Sequence, residues 1–192
     1  MFEYHSENAM SADNQQERPL TETSSLDVER IPPEIGWYLA GFAEGEGSFN
    51  VPIRRRNDFE MGWKVSLSFN ISQKDDTIPK LFQSVLKCGT IRYRRDGICY
   101  FEVTKVEDIV NKVFPFFAKF ELRSGKKKDL ERFKEIAYMV KRNEHLKQGG
   151  LERILVLRRP MNNGGKRRFS VEYILGTIQL MESSETIRQT PE

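Results

Sequence analysis

Gly36-Trp37-Tyr38-Leu39-Ala40-Gly41-Phe42-Ala43-Glu44-Gly45-Glu46-Gly47-Ser48-Phe49 is the stretch whose reading decides the fold. Just before it, Ile31-Pro32-Pro33-Glu34 predicts a helix start, with proline in the first turn and an acid at the positive end. The apolar run from Ile35 to Ala43 continues that helix. Ala40, Gly41, Ala43 and Gly45 leave part of it nearly bare. Glycine inside a helix costs about 1 kcal/mol relative to alanine, so close approach by a second helix is expected to compensate. Glu44 and Glu46 fall at the C-terminal end, where the macrodipole is already negative. Carboxylates there are disfavoured unless a cation answers them. If a symmetry mate brings a second copy alongside, four acids converge and call for a divalent metal ion. Spacing alone leaves open which carboxylate would hold it. The plainer alternative is a surface helix ending in a flexible Gly-Glu-Gly turn.

Outward from this stretch the period changes to two. Phe49, Val51 and Ile53 alternate with Ser48, Asn50 and Arg54, which predicts a strand with one wet face. After a polar turn at Arg56-Asn57-Asp58, a second strand is expected from Lys64 to about Ser72. Val65, Leu67, Phe69 and Ile71 lie on one side of it; Lys64, Ser66, Ser68, Asn70 and Ser72 lie on the other. Asp75 and Asp76 open a helix that ends at Gly89, and a hairpin follows over 90–94 and 98–104, turned by Arg95-Asp96-Gly97. Further helices are expected over 105–118, 127–148 and 171–182. The predicted fold is α+β: an αββαββα unit with an antiparallel sheet and C-terminal helices.

The totals agree with one such unit. A chain of 192 residues, 38% hydrophobic and 31% charged, suits a single water-soluble domain over 31–182, with a tail over 183–192. No apolar run approaches the length of a membrane span, and the N-terminus resembles neither a secretory signal nor an acid-poor transit peptide. Residues 1–30 hold seven acids against two bases and read as a disordered or loosely docked extension. Net charge is +3, so the remainder is clearly basic, which favours a polyanionic partner. Cys88 and Cys99 lack metal-ligand spacing and suggest reduced thiols in an intracellular protein. His5 and His145 are far apart, which argues against a histidine-based nuclease centre.

The nonamer Leu39 to Gly47 resembles, without a gap, the LAGLIDADG motif of homing endonucleases. The resemblance extends over roughly 34–180. Ile71-Ser72-Gln73-Lys74 is similar to the end of the family's second strand, and Gly89-Thr90-Ile91 to the start of its third. Lys126 to Phe133 is similar to its basic helix entrance, and Met161-Asn162 with Gly164-Gly165-Lys166-Arg167 to a tail loop. The resemblance implies a saddle-shaped fold and Mg²⁺-dependent hydrolysis of double-stranded DNA at a long pseudo-palindromic site, leaving short 3′ overhangs. Mn²⁺ would substitute, and Ca²⁺ would support binding without efficient cutting. It also implies that Glu46 is the metal-ligating acid, with the Gly45 carbonyl beside it, and that Glu44 is the more structural acid. Gln73 corresponds to the residue that orients the attacking water, and Lys126, among Arg123, Lys127 and Lys128, to the active-site lysine. One motif per chain implies a homodimer packed through Leu39, Ala40, Gly41, Ala43 and Gly45. The host compartment, organelle or bacterial cytoplasm, is not decided by the sequence.

The polar strand faces suit a DNA groove. A two-stranded ribbon fits the major groove, where arginine reads guanine and asparagine reads adenine. Asn50, Arg54, Arg56, Lys64, Ser66, Ser68, Asn70, Arg92 and Arg94 are the expected readers; Arg158, Arg159, Lys166, Arg167 and Arg168 are expected to clamp phosphates. No membrane or small-molecule substrate is expected. An intron RNA maturase and a non-catalytic DNA-binding regulator on the same fold are the alternatives. Retention of Glu46 and Gln73 favours the nuclease over both.

Overall fold

A computed structural model describes residues 24–188 apart from 60 and 166, with side chains as far as residue 180. Residues 1–23 and 189–192, and with them most of the expected extension and part of the expected tail, lie outside the described residues. Helix α1, Pro33–Glu46, leads directly into β1, Gly47–Asn50. The junction needs glycine at 47, because a Cβ there would stand 2.6 Å from the Ala43 carbonyl oxygen. Short strands β2 (Ile53–Arg55) and β3 (Trp63–Val65) precede β4 (Ser68–Gln73), helix α2 (Thr77–Leu86), β5 (Thr90–Tyr93) and β6 (Cys99–Val103). The αββαββ order of the prediction is therefore present.

Each of the first two expected strands is divided in two. Pro52 has no N–H to give to a ladder, so pairing stops at Asn50. β1 joins the antiparallel four-stranded sheet β1-β4-β6-β5, while β2 and β3 form a separate two-stranded ribbon. The ribbon stays fastened through Ser66 N–H, which donates to the Pro52 carbonyl at 2.9 Å. Alternation survives the break. Phe49, Val51, Ile53, Val65, Leu67, Phe69 and Ile71 are all buried.

Helices cover that apolar face. Phe69 is at the centre, 5.2 Å from Phe49, 5.5 Å from Phe117 and 6.0 Å from Phe82 between ring centroids. Offset and edge-on pairs of this kind contribute about 0.5–1.5 kcal/mol each beyond their burial. The expected helix over 105–118 forms as α3 (Val106–Asp108), a π-helical turn (Ile109–Val113) and α4 (Phe114–Lys119). Pro115 cannot donate to the carbonyl of Asn111 four residues back. Leu26 N–H takes that carbonyl instead, at 2.9 Å, and so docks residues 24–31 onto the domain.

The expected helix over 127–148 is two helices. α5 (Gly125–Lys141) ends where Asn143 turns left-handed at φ 59°, and α6 (Gln148–Arg158) folds back against it. Gly150 makes the turn possible, since a Cβ there would collide with the Glu144 carbonyl. α7 (Val171–Arg188) runs beyond the expected end at 182 and packs on the ribbon, where Trp63 Nε1 donates to Thr177 Oγ1 at 2.9 Å. Among the described residues no helix is long and apolar enough to cross a membrane.

Candidate active site and nucleic-acid interface

The two acids of the opening motif, two helical steps apart, lie in different surroundings. Glu44 turns toward the start of α5. Its carboxylate accepts the backbone N–H of Arg123 and that of Ser124, the latter at 3.1 and 3.2 Å. Ser124 is itself the N-cap, its hydroxyl accepting from Lys126 N–H at 3.1 Å. Glu44 thus sits at the positive end of a 17-residue helix. Desolvation alone would raise its pKa. The Ser124 and Arg123 hydrogen bonds and the Lys126 charge outweigh it, and the carboxyl is held below the ordinary 4.5.

Glu46 closes α1, is exposed, and has no hydrogen bond or ion pair to the described residues. Lys126, in the first turn of α5, donates its ammonium to the Gly47 carbonyl, at the same α1–β1 junction. Of the neighbouring bases, Lys127 pairs with Glu121 at 3.1 Å and Arg123 lies over the Trp37 ring at 5.3 Å, while Lys128 lines the same open cavity as Gly45, Gly47 and Lys126. Within the basic cluster, Lys126 is the residue bonded to the junction that follows Glu46. Gln73 ends β4. Since Gly47 is paired with Ile71, two further steps of that register bring Gln73 beside the last turn of α1. Lys126 is thus anchored at the α1–β1 junction that follows Glu46, and Gln73 ends the strand that pairs with β1. Among the described residues, no group of three or more carboxylate, thiol or imidazole side chains could hold a metal ion within one chain.

The outer face of α1 differs from the expected one. Leu39, Ala40 and Ala43 are buried in the chain's own core. They are packed inward, so they cannot form the bare stripe, although Ala40 reaches the floor of an open groove of about 700 Å³ beside Trp37, Gly41, Glu44 and Arg123. The outward stripe is Trp37, 43% exposed, and Tyr38, 53% exposed, followed by Gly41 and Gly45. A Cβ at either glycine would meet nothing within 4 Å. These positions recur at the three-to-four-residue step that places side chains on one helix face.

On the far side of the sheet, Ser48, Asn70, Glu102 and Thr90 form one row across the four strands; Ser72, Tyr100 and Arg92 form another. A concavity of about 470 Å³ beside them brings together Arg54, Lys64, Ser66 and Arg92, expected readers drawn from both sheets. Ser68 lines it too, but is only 5% exposed, too sheltered for the open contact expected of it. Arg56 is bound by Asp58 at 2.7 Å, and Arg94 by Asp96 at 2.9 Å and the Tyr100 hydroxyl at 3.0 Å. Asn50 and Asn70 are half-buried on the sheet face. Lys166 lies outside the described residues. Arg167 is fixed in place by one guanidinium nitrogen, which donates to the carbonyls of Arg158 and Met161 at 3.1 and 2.8 Å. Arg158 is buried rather than presented to solvent.

Some of the site was not anticipated from the sequence. Asn162, left-handed at φ 52°, reaches across the domain to β1. Its amide donates to the Phe49 carbonyl at 2.9 Å and to Asn50 Oδ1 at 3.1 Å, and its backbone N–H donates to Asp129 at 3.1 Å. Asn50 Oδ1 also accepts from the Ser48 hydroxyl at 3.2 Å, so Asn50 keeps mainly its donor end for a partner. Glu102, an acid on this otherwise basic face, is not among the expected readers. The left-handed Asn-Asn pair before Gly164-Gly165 was the available signal for the first of these.

The family model of the LAGLIDADG endonucleases matches residues 39–137. That range contains the Glu46 junction, all six strands and most of α5. The chain belongs to the LAGLIDADG endonuclease family. A probable intron-encoded endonuclease of Neurospora crassa is 34% identical over 138 residues, 70% of this chain and 29% of that protein. The LAGLIDADG chain described here thus spans less than a third of that relative. Among solved structures, it is similar to the archaeal intron-encoded homing endonuclease I-Vdi141I complexed with DNA. The TM-score is 0.72 at 27% identity, over 77% of this chain and 96% of that one. It is also similar to I-SmaMI bound to uncleaved DNA in the presence of calcium ions, with TM-score 0.65 and 25% identity, over 81% of this chain and 50% of that one.

Proposed function

We propose that two copies of this chain assemble into a homing endonuclease that cuts both strands of DNA at a long pseudo-palindromic site, leaving short 3′ overhangs. The observation that carries the reading is Glu46: an exposed carboxylate, without a partner among the described residues, at the end of a helix whose outer stripe is bare at Gly41 and Gly45. A groove bordered by the exposed Trp37 ring, with Tyr38 exposed on the same helix, is costly to leave in water. A second α1 laid into it covers that surface and brings a second Glu46 alongside the first, so each copy supplies half of one site.

The donor set fits a hard divalent cation, Mg²⁺ with Mn²⁺ as substitute. Glu46 of each copy, with the Gly45 carbonyl, would hold it, and bound there it supplies an activated water and stabilises the leaving oxygen. This chain's own residues do the rest. Lys126, fixed by the Gly47 carbonyl, puts its ammonium where the phosphorus centre accumulates negative charge. Gln73 holds the approaching water by hydrogen bonds from the end of β4. Glu44 does not enter the chemistry; it anchors α5 and so fixes Lys126. Arg54, Lys64, Ser66, Asn70 and Arg92 face the groove of the DNA. The test is a cleavage selection on a randomised duplex library with Mg²⁺ and, separately, with Ca²⁺. Recovery of a two-fold related site cut in Mg²⁺ and only bound in Ca²⁺ supports the reading; recovery of no site, or of an asymmetric one, contradicts it.

A further inference from the structure

A second basic feature stands away from Glu46, between the end of α6 and the start of α7. Arg158 is 9% exposed, and its Nε is buried without a hydrogen-bond partner among the described residues. No carboxylate of the described residues pairs with it. Beside it stands a second arginine, Arg167, whose guanidinium is fixed by the carbonyls of Arg158 and Met161. Two guanidinium groups are thus held close with no acid between them. Burial, and then the Arg167 charge, push the Arg158 pKa down to about 10. Buried charges in folded proteins are normally paired. The negative end of α6 returns only part of what desolvation costs.

The arrangement surrounds a small cavity of about 120 Å³, whose wall includes Arg158, Arg159, Gly164, Arg167, Ser170 and Val171. Val171 opens the 18-residue helix α7, so the positive end of that dipole faces the same space. Glu172, an acid in the first turn of α7, feels the charge of Arg159 and accepts a hydrogen bond from Ser170, whose hydroxyl also accepts the Tyr173 N–H. The geometry points to an oxyanion site: we propose that this cavity binds a phosphate group, with Arg158 and Arg167 as its cationic walls and the first turn of α7 as its floor. The group is either a free phosphate ion or a backbone phosphate of bound DNA. The chemistry of recognition is the same for both. The proposal does not depend on cleavage and stands or falls separately from the Glu46 site.

The test uses the full chain in EDTA, so that no metal ion mediates the effect, with inorganic phosphate as the probe and chloride at equal ionic strength as the control. Phosphate is expected to raise Tm by roughly 3–8 °C at 10 to 100 times its Kd, climbing with the logarithm of its concentration. Arg158→Met keeps the apolar stem and removes the charge. It should abolish that rise while leaving Tm in phosphate-free buffer equal to or above that of the unaltered chain. Arg159→Met, at an exposed position, weakens phosphate several-fold by ³¹P line broadening even if the first variant fails to fold. If the source is DNA, Arg158→Met also weakens every duplex alike and lowers the salt slope by about one. If it is the free ion, duplex binding is unchanged. A rise no greater than chloride gives, a rise linear in concentration that marks an adventitious ion only, or a rise in Arg158→Met equal to that of the unaltered chain overturns the proposal.

Discussion

Glu44 and Glu46 are two residues apart, and a helix separates such positions by about 200°. That rotation explains why one acid is spent on structure and the other left free. Glu44 meets the amides of Arg123 and Ser124; Glu46 meets none. Glu44→Gln should therefore cost about 1 kcal/mol of stability at neutral pH, the usual value of a lost helix cap. The pH dependence has a definite sign. Because the folded-state pKa of Glu44 is lowered, its stabilisation is complete above the unfolded value of about 4.5 and is lost as pH falls through the folded value. Urea unfolding of both proteins between pH 7 and pH 3 should show the gap closing toward acid. A gap that is constant with pH would mean that the charge on Glu44 contributes nothing. At the same scale, burial pushes the Cys88 thiol up to about 12, and the Cys99 thiol upward as well, which suits the sequence reading of both as apolar fillers.

At the scale of elements, period-two and helical patterning were legible where local rules agree with tertiary packing. Every residue assigned to the inner side of the first two strands is buried. What escaped depends on contacts distant in sequence or on turn geometry. Pro52 moved β2 out of the main sheet; Gly150 and left-handed Asn143 divided one expected helix into α5 and α6. The bare face of α1 was visible as composition but not as direction, because Ala40, Ala43, Gly41 and Gly45 are all small. Only packing shows that the alanines point inward and the glycines outward. The two faces should respond oppositely to substitution. Leu39→Ala, at a fully buried position, should cost 2–5 kcal/mol. Gly41→Ala has open space in the single chain and should raise its helix stability by about 1 kcal/mol while weakening self-association. Thermal unfolding and sedimentation velocity on the same samples check both. A Gly41→Ala protein that self-associates as well as the parent would place the interface elsewhere.

For the whole molecule, two copies of the sheet face present each side chain twice about a two-fold axis. Arg54→Ala or Asn70→Ala should then relax base preference at mirror-related positions of the site, at ~1–3 kcal/mol per preferred base. Profiling all single substitutions in the target measures this directly, and a change on one side only would contradict a symmetric reader. The central claim is narrower: the carboxylate of Glu46 serves cleavage and not folding or binding. Its most direct test is cutting of the selected target in Mg²⁺ by the unaltered chain and by Glu46→Gln, with binding to the same duplex measured in Ca²⁺. The account predicts that Glu46→Gln binds within a few-fold of the parent, since it removes like-charge repulsion and no DNA contact, and that it does not cut. Cutting at the parental rate, or loss of binding together with cutting, would contradict it.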